Sequence, residues 1–265
     1  MSLLDIRFVI LTESRSGSNL LVSLLDSHPN ISCHSEVFHR KRVYAKPPLN
    51  SLTVEHRNTH IQQVLDAIFT TQDSSREILA RGFKLFYYHK PSLIVKLARD
   101  PAIRFVILRR SDKLAQYASR KIALRTGKWK KLEKRRGPVE LKVESQAGEN
   151  RQERVQYRFS GHLAYCVFSE LCHFLAMRVL RHFRSPSIEL RYEDLVTDMD
   201  GQMRGALAFL DLPQKELKTK LRRQNILNVT DRFSNPRQAG RGLVLERKVV
   251  GFFARLGKLL DALSN

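Results

Sequence analysis

The sequence predicts an α/β fold, a three-layer arrangement in which helices flank a central, mainly parallel sheet. Three observations predict it. Short apolar runs at residues 8–11, 83–87, 104–108 and 187–190 read as buried strands. Segments with apolar residues at helical spacing separate those runs, as crossover connections require. The first run passes through a small polar loop directly into a helix, a strand–loop–helix unit suited to anions.

That unit comes first in the chain. Phe8-Val9-Ile10-Leu11 is the strand, and Leu20, Leu21, Leu24 and Leu25 share one face of the helix. Between them lies Ser14-Arg15-Ser16-Gly17-Ser18. A helix N-terminus offers N–H groups and a positive dipole end. Gly17 allows close backbone approach, and Arg15, Ser16 and Ser18 add side-chain donors. A nucleotide triphosphatase loop would carry Gly-Lys-[Ser/Thr] for the terminal phosphates and Mg²⁺. Here Ser18 stands in place of that Lys, and Arg15 supplies the cation. The loop predicts a phosphate-like ligand without the Walker metal arrangement.

Further helices are expected at residues 54–69, 93–98, 114–124, 156–183 and 199–210. Residues 129–150 are charged and contain Gly137-Pro138, so they predict a mobile excursion. Residues 225–243 contain Asn235-Pro236, Gly240 and Gly242, and predict a loop. Residues 244–263 predict an amphipathic helix: Leu245, Val249, Phe252, Leu256, Leu259, Leu260 and Leu263 on one face, with Arg247, Lys248, Arg255 and Lys258 beside them. The helix is expected to pack on the domain, with contact to an anionic membrane as the other reading. The whole chain, 1–265, is expected to be one domain.

Lys and Arg number 47 against 26 acidic residues, a formal charge of +21. Nucleic acid, an anionic surface or an anionic substrate would each suit that surplus. It is spread along the chain, which says less for nucleic acid than a single basic tail would, and no nucleic-acid partner is expected. No apolar run is long enough to span a bilayer. The first residues lack a signal-peptide pattern, and Cys33, Cys166 and Cys172 show no disulfide or metal spacing. A reducing, cytoplasmic setting is the expectation.

A second strand, Phe105-Val106-Ile107-Leu108, ends in Arg109-Arg110 and opens a helix containing Ser119. Ligands of open α/β sheets gather at such strand ends. Arg110 and Ser119 could bracket one phosphate; Arg109 and Arg110 could equally pair with nearby acids. Glu36 and the histidines His34 and His39 follow the first helix and are candidate proton acceptors. On a continuous strand His34 and Glu36 would face the same side. Cys33, His34, Glu36 and His39 match no familiar zinc spacing, so no metal is expected. Lys84, on a strand, could point into the site. Trp129 could stack on a ring or serve in packing.

Taken together these motifs resemble the sulfotransferase family that uses 3′-phosphoadenosine 5′-phosphosulfate (PAPS). Ser14-Arg15-Ser16-Gly17-Ser18 is similar to its 5′-phosphosulfate loop, and Val106-Ile107-Leu108-Arg109-Arg110 with Ser119 to its 3′-phosphate motif. Leu190-Arg191-Tyr192-Glu193-Asp194-Leu195, followed by Ala208-Phe209-Leu210, resembles a third family segment. Gly82-Phe83-Lys84-Leu85 and residues 121–129 resemble bacterial carbohydrate sulfotransferases of the trehalose and Nod-factor type. The resemblance implies a P-loop-like fold and PAPS as co-substrate. It places the co-substrate on Arg15, Ser16, Gly17, Ser18, Asn19, Arg110 and Ser119, with Arg109 replacing Arg110 if the register shifts by one. It implies Glu36 as base, Arg15 in catalysis, and a hydroxyl of a carbohydrate or glycolipid as acceptor. The alternatives are a P-loop-type kinase or nucleotide hydrolase, and a non-enzymatic polyanion binder. Oligomeric state is not encoded in any of these motifs.

Overall fold

The computed structural model describes residues 5–70, 77–127, 154–219, 221 and 228–262. The segment 129–150 with Trp129, and residues 225–227, lie outside the described residues. Five strands form one sheet: β1 (Ile6–Thr12), β2 (Ile31–His34), β3 (Ala80–Phe86), β4 (Ile103–Arg109) and β5 (Ser187–Arg191). Their order is β2-β3-β1-β4-β5, and every pairing is parallel. After β1 the chain runs outward to β2, whereas after β4 it runs the other way to β5. The carboxyl ends of β1 and β4 therefore flank a topological switch point, where open sheets bind ligands.

Alternation along the strands divides the core into two layers. Val9, Leu11, Phe83, Leu85, Phe105 and Ile107 face α3 (Ile61–Thr70), α4 (Pro91–Ala98) and the later turns of α6 (Phe159–His182). Phe8, Ile10, Val106, Leu108 and Leu190 face α1 (Ser18–Asp26), α7 (Tyr192–Thr197) and α8 (Met199–Phe209). Strands buried on both faces read as continuous apolar runs, which is why β1, β3 and β4 were legible. Strand β2, Ile31-Ser32-Cys33-His34, is short and half polar and was not foreseen.

The chain divides into two compact units, residues 1–111 with 169–219, and residues 112–168 with 220–265. The first holds the sheet. The second contains α5 (Lys113–Thr126), the first turns of α6 and α9 (Pro236–Ala262). Its core joins Leu114, Tyr117, Ala118, Val155, Tyr157, Phe233 and Ala239.

Three elements differ from expectation. The helix foreseen at 54–69 is two, α2 (Val54–Thr59) and α3, parted at His60. The loop foreseen up to residue 243 ends at Pro236, where α9 begins. Pro suits a first helical position because its φ is preset and its missing N–H is not needed there. Gly242, read as a loop residue, is a close-packing residue: a Cβ there would overlap the Tyr157 hydroxyl and lie 3.0 Å from His162 Nδ1. Only the first part of α9 is packed; beyond Glu246 none of its residues is buried. Third, α6 is long and apolar enough to cross a membrane by length and composition alone. In the fold, Ser169, Glu170 and His173 bond to Glu13, Arg109 and Tyr87, while Phe168, Leu171 and Leu175 on the same helix stay exposed.

Candidate active site

The loop after β1 is wound tightly by its own hydroxyls. Thr12 Oγ1 lies 2.7 Å from Ser16 Oγ and 2.7 Å from the Leu108 carbonyl, and Ser16 Oγ lies 2.8 Å from the Glu13 carbonyl. Ser16 is fully buried and its hydroxyl braces the loop, while Thr12 ties the loop to β4. Arg15 and Gly17 have φ of 64° and 89°, both left-handed, and curl the backbone into the start of α1. No side chain caps that helix, so the donors of its first turn open onto the loop. Gly17 is required twice: by its φ, and because a Cβ would come 2.6 Å from Tyr192 Cε2.

Arg110 closes the other side. It is 8% exposed, its Nη1 donates to the Arg15 carbonyl at 3.2 Å, and its guanidinium lies 4.5 Å from the Tyr192 ring centroid. Its Nε is buried without a hydrogen-bond partner. Arg109 faces the opposite way, onto the buried carboxylate of Glu170. Burial alone would depress the Arg109 guanidinium, but Glu170 outweighs it and holds the group above its ordinary range. Of the two tandem arginines, Arg110 is therefore the one beside the loop. Glu193 secures this arrangement by accepting the Ser111 N–H at 3.1 Å.

At the second strand–helix junction, Asp112 accepts the Ala115 N–H, and Glu246 accepts the N–H groups of Lys113 and Leu114. Two carboxylates thus cap α5. Ser119 lies on α5 in the second unit and is half-buried.

Lys84, read from the sequence as a strand lysine that could point into the site, is buried between α1 and the residues just after β2. On β3, Phe83 and Leu85 face one core layer, so Lys84 faces α1. Its side chain is 0% exposed, and Nζ lies 2.9 Å from Glu36 Oε1 and 2.7 Å from Asn19 Oδ1. Gly82, two residues earlier, leaves room for Phe8 on β1, since a Cβ would sit 2.5 Å from the Phe8 carbonyl oxygen. A buried ammonium is costly unless paired and hydrogen-bonded, and both conditions are met here. A lysine flanked by Phe83, Leu85 and Phe86 was the signal in the sequence. Glu36 is set beside it because the Lys84 N–H donates to the Ser35 carbonyl, extending the β2–β3 pairing by one residue.

The histidines are placed differently from Glu36. Ile31 and Cys33 face the α1 layer, so His34 faces the other side; the strand ends there and its alternation does not carry on to Glu36. His34 is 1% exposed, and its Nδ1 accepts the Lys46 N–H at 3.1 Å. That contact ties the end of β2 to the Lys46 backbone. Burial pushes His34 down to about 4, aided by Lys46 and opposed by Asp26. An unfolded histidine titrates near 6.5. Between those values the unfolded chain takes up a proton that the folded chain refuses, so stability falls as pH falls. Unfolding by urea should show a loss of about 2 kcal/mol from His34 between pH 7.5 and pH 5. His34→Asn, which can still accept from Lys46, should flatten that slope; an unchanged slope would remove His34 as its source.

His39 and His89 gather near Glu36, with their donor atoms within 4.8 Å of one another and of a Glu36 oxygen. Cys33 and His34 are not part of that group. Burial lowers both imidazoles, His89 to about 4; Glu36 opposes this, while Arg57, Arg42 and Lys41 push His39 down further and Arg40 and Lys84 push His89 down further.

Three solved structures are similar to this chain. A sulfotransferase from Alicyclobacillus acidocaldarius is 14% identical with a TM-score of 0.49, covering 93% of this chain and 96% of that one. A mouse sulfotransferase complexed with PAP is 11% identical with a TM-score of 0.44, covering 80% and 61%. The sulfotransferase domain of a Synechococcus olefin synthase is 14% identical with a TM-score of 0.40, covering 94% and 94%. No curated protein matches the sequence. The model of the sulfotransferase family matches residues 8–216, from β1 and its anion loop through Arg110 to the end of α8. That span contains the sheet, the loop, Glu36, Lys84 and Tyr192, and the chain belongs to the sulfotransferase family.

Proposed function

We propose that the enzyme transfers a sulfuryl group from PAPS to a hydroxyl of a carbohydrate or glycolipid, with Glu36 as general base. The observation that carries this reading is the buried Lys84, held between Glu36 and Asn19 beside the anion loop. Sulfotransferases generally draw on PAPS, and transfer to an alcohol requires the functions this cluster offers. The acceptor oxygen attacks sulfur and forms a new O–S bond. The S–O bond to the 5′-phosphate breaks, and its electron pair leaves on adenosine 3′,5′-bisphosphate. The hydroxyl proton passes to Glu36, whose Oε1 is engaged by Lys84 and whose Oε2 remains to receive it. Arg15, the loop N–H groups and Lys84 stabilise charge growing on the transferred group and the leaving phosphate. Arg110, beside the loop, takes the 3′-phosphate as a bidentate partner.

The acceptor class rests on the likeness of residues 82–85 and 121–129 to bacterial carbohydrate sulfotransferases. A glycolipid acceptor would agree with α9, where exposed Phe252 and Leu259 lie beside Arg255 and Lys258 and suit an anionic membrane surface.

Thermal unfolding with adenosine 3′,5′-bisphosphate, beside ADP with and without Mg²⁺, tests the co-substrate. A ligand that binds only the folded chain adds about 2.7 kcal/mol at a hundredfold excess over Kd. The bisphosphate should raise the melting temperature, and Arg110→Ala should remove most of that rise while Arg109→Ala keeps the ligand response on a less stable protein. Stabilisation by ADP–Mg²⁺ alone would overturn the PAPS assignment.

A further inference from the structure

We propose that His162, Cys166 and Glu246 hold a zinc ion inside the second unit, where it ties α6 to α9. His162 and Cys166 are four residues apart on α6 and share a face; Glu246 comes from α9. All three are buried, and one donor atom from each lies within 4.8 Å of the others.

His162 Nε2 carries the argument. The residue is 0% exposed, yet among the described residues Nε2 has no hydrogen-bond partner. It points at Glu246 Oε2 from 3.7 Å, too far for a hydrogen bond. Tetrahedral zinc, with bonds near 2.0–2.2 Å to nitrogen and oxygen, separates two such ligands by about 3.4 Å. The pair is thus spaced for an ion between its atoms rather than for contact with each other.

The surroundings fix the donors as a zinc site requires. Tyr157 Oη lies 3.2 Å from His162 Nδ1 and orients the ring so that Nε2 faces inward. The N–H groups of Lys113 and Leu114 hold the Glu246 oxygens at 2.9 and 2.8 Å. Each carboxylate oxygen keeps a second lone pair for a metal. Gly242 lets α9 pass this close to Tyr157 and His162.

Charge and ligand chemistry agree. A thiolate and a carboxylate balance a divalent ion, and a neutral imidazole adds nothing, so the buried site is electrically neutral when filled. Binding displaces the thiol proton of Cys166 to solvent. One sulfur and one imidazole nitrogen select zinc over oxygen-seeking calcium or magnesium. Water completes the fourth position. The Glu36–His39–His89 group has no thiolate and is ringed by cations, so it is the weaker competitor for the same ion.

Purified full-length protein, stripped with chelator and given one equivalent of Zn²⁺, should retain one zinc per chain by elemental analysis and melt at a higher temperature. Cys166→Ser and His162→Gln should each weaken retention at least tenfold, whereas His39→Ala/His89→Ala should not. Co²⁺ in the unmodified chain should show a thiolate-to-cobalt charge-transfer band, a readout that needs no variant to fold. No bound zinc, no such band, zinc kept by Cys166→Ser, or zinc lost by His39→Ala/His89→Ala would each overturn the assignment.

Discussion

Glu36→Gln should lower turnover by about 10²- to 10⁴-fold, the range for loss of a positioned general base. The amide keeps an oxygen for Lys84 Nζ, which lies 2.9 Å from Glu36 Oε1, so the buried ammonium stays hydrogen-bonded and the fold is retained. Affinity for adenosine 3′,5′-bisphosphate should hold, because the loop and Arg110 are untouched. Glu36→Ala is a poorer probe. It takes away the hydrogen-bond acceptor of Lys84 as well as the counter-charge, whereas Gln takes away the charge alone, and breaking such a pair outright costs about 3–5 kcal/mol. Sulfate transfer measured with saturating co-substrate decides the matter. Turnover of Glu36→Gln within threefold of the parent would remove Glu36 as base, and His39 would be the next group to test.

Gly17→Ala should be the most damaging single methyl addition in the first unit. Two independent penalties meet there. The φ of 89° is left-handed, which costs a residue with a Cβ about 1–2 kcal/mol. The new Cβ would also run into the Tyr192 ring, 2.6 Å from Cε2, and overpacking of this kind costs about 1–3 kcal/mol. Tyr192 has little room to yield, since Arg110 stacks on it at 4.5 Å. Displacing the ring therefore moves the cation beside the loop, and nucleotide affinity should fall with stability. Gly17→Ala/Tyr192→Ala should recover the steric part but not the backbone part, giving a coupling of at least about 1 kcal/mol by urea unfolding. A Gly17→Ala protein within 0.5 kcal/mol of the parent, by the usual limit for neutral changes, would show that the loop relaxes in a way this geometry does not allow.

The sequence was most legible where burial is two-sided. Strands β1 and β4 carry unbroken apolar runs, and β3 one interrupted by Lys84, because helices cover both faces of the sheet, and the loop after β1 is a contiguous string of residues. Helix boundaries marked by Gly and Pro were less so. Gly240 and Gly242 read as loop punctuation, yet they lie within α9, where Gly242 admits a tyrosine hydroxyl. The split at His60 and the short, half-polar β2 left no periodic trace.

The sequence by itself determined the α/β class, the anion loop at Arg15–Ser18 and the family whose motifs follow in order. These are local or ordered patterns, set by strand alternation, helix periodicity and backbone permissiveness at Gly17. Only the tertiary structure shows that Arg110 lies beside the loop and Arg109 on Glu170, because adjacent residues leaving a strand face opposite ways and nothing local says which side holds Glu170. It alone brought Lys84 from β3, Asn19 from α1 and Glu36 from the end of β2 to one point. Residues so far apart in the chain meet only when the sheet order is fixed, and a charge buried among them is stable only once all its partners have arrived.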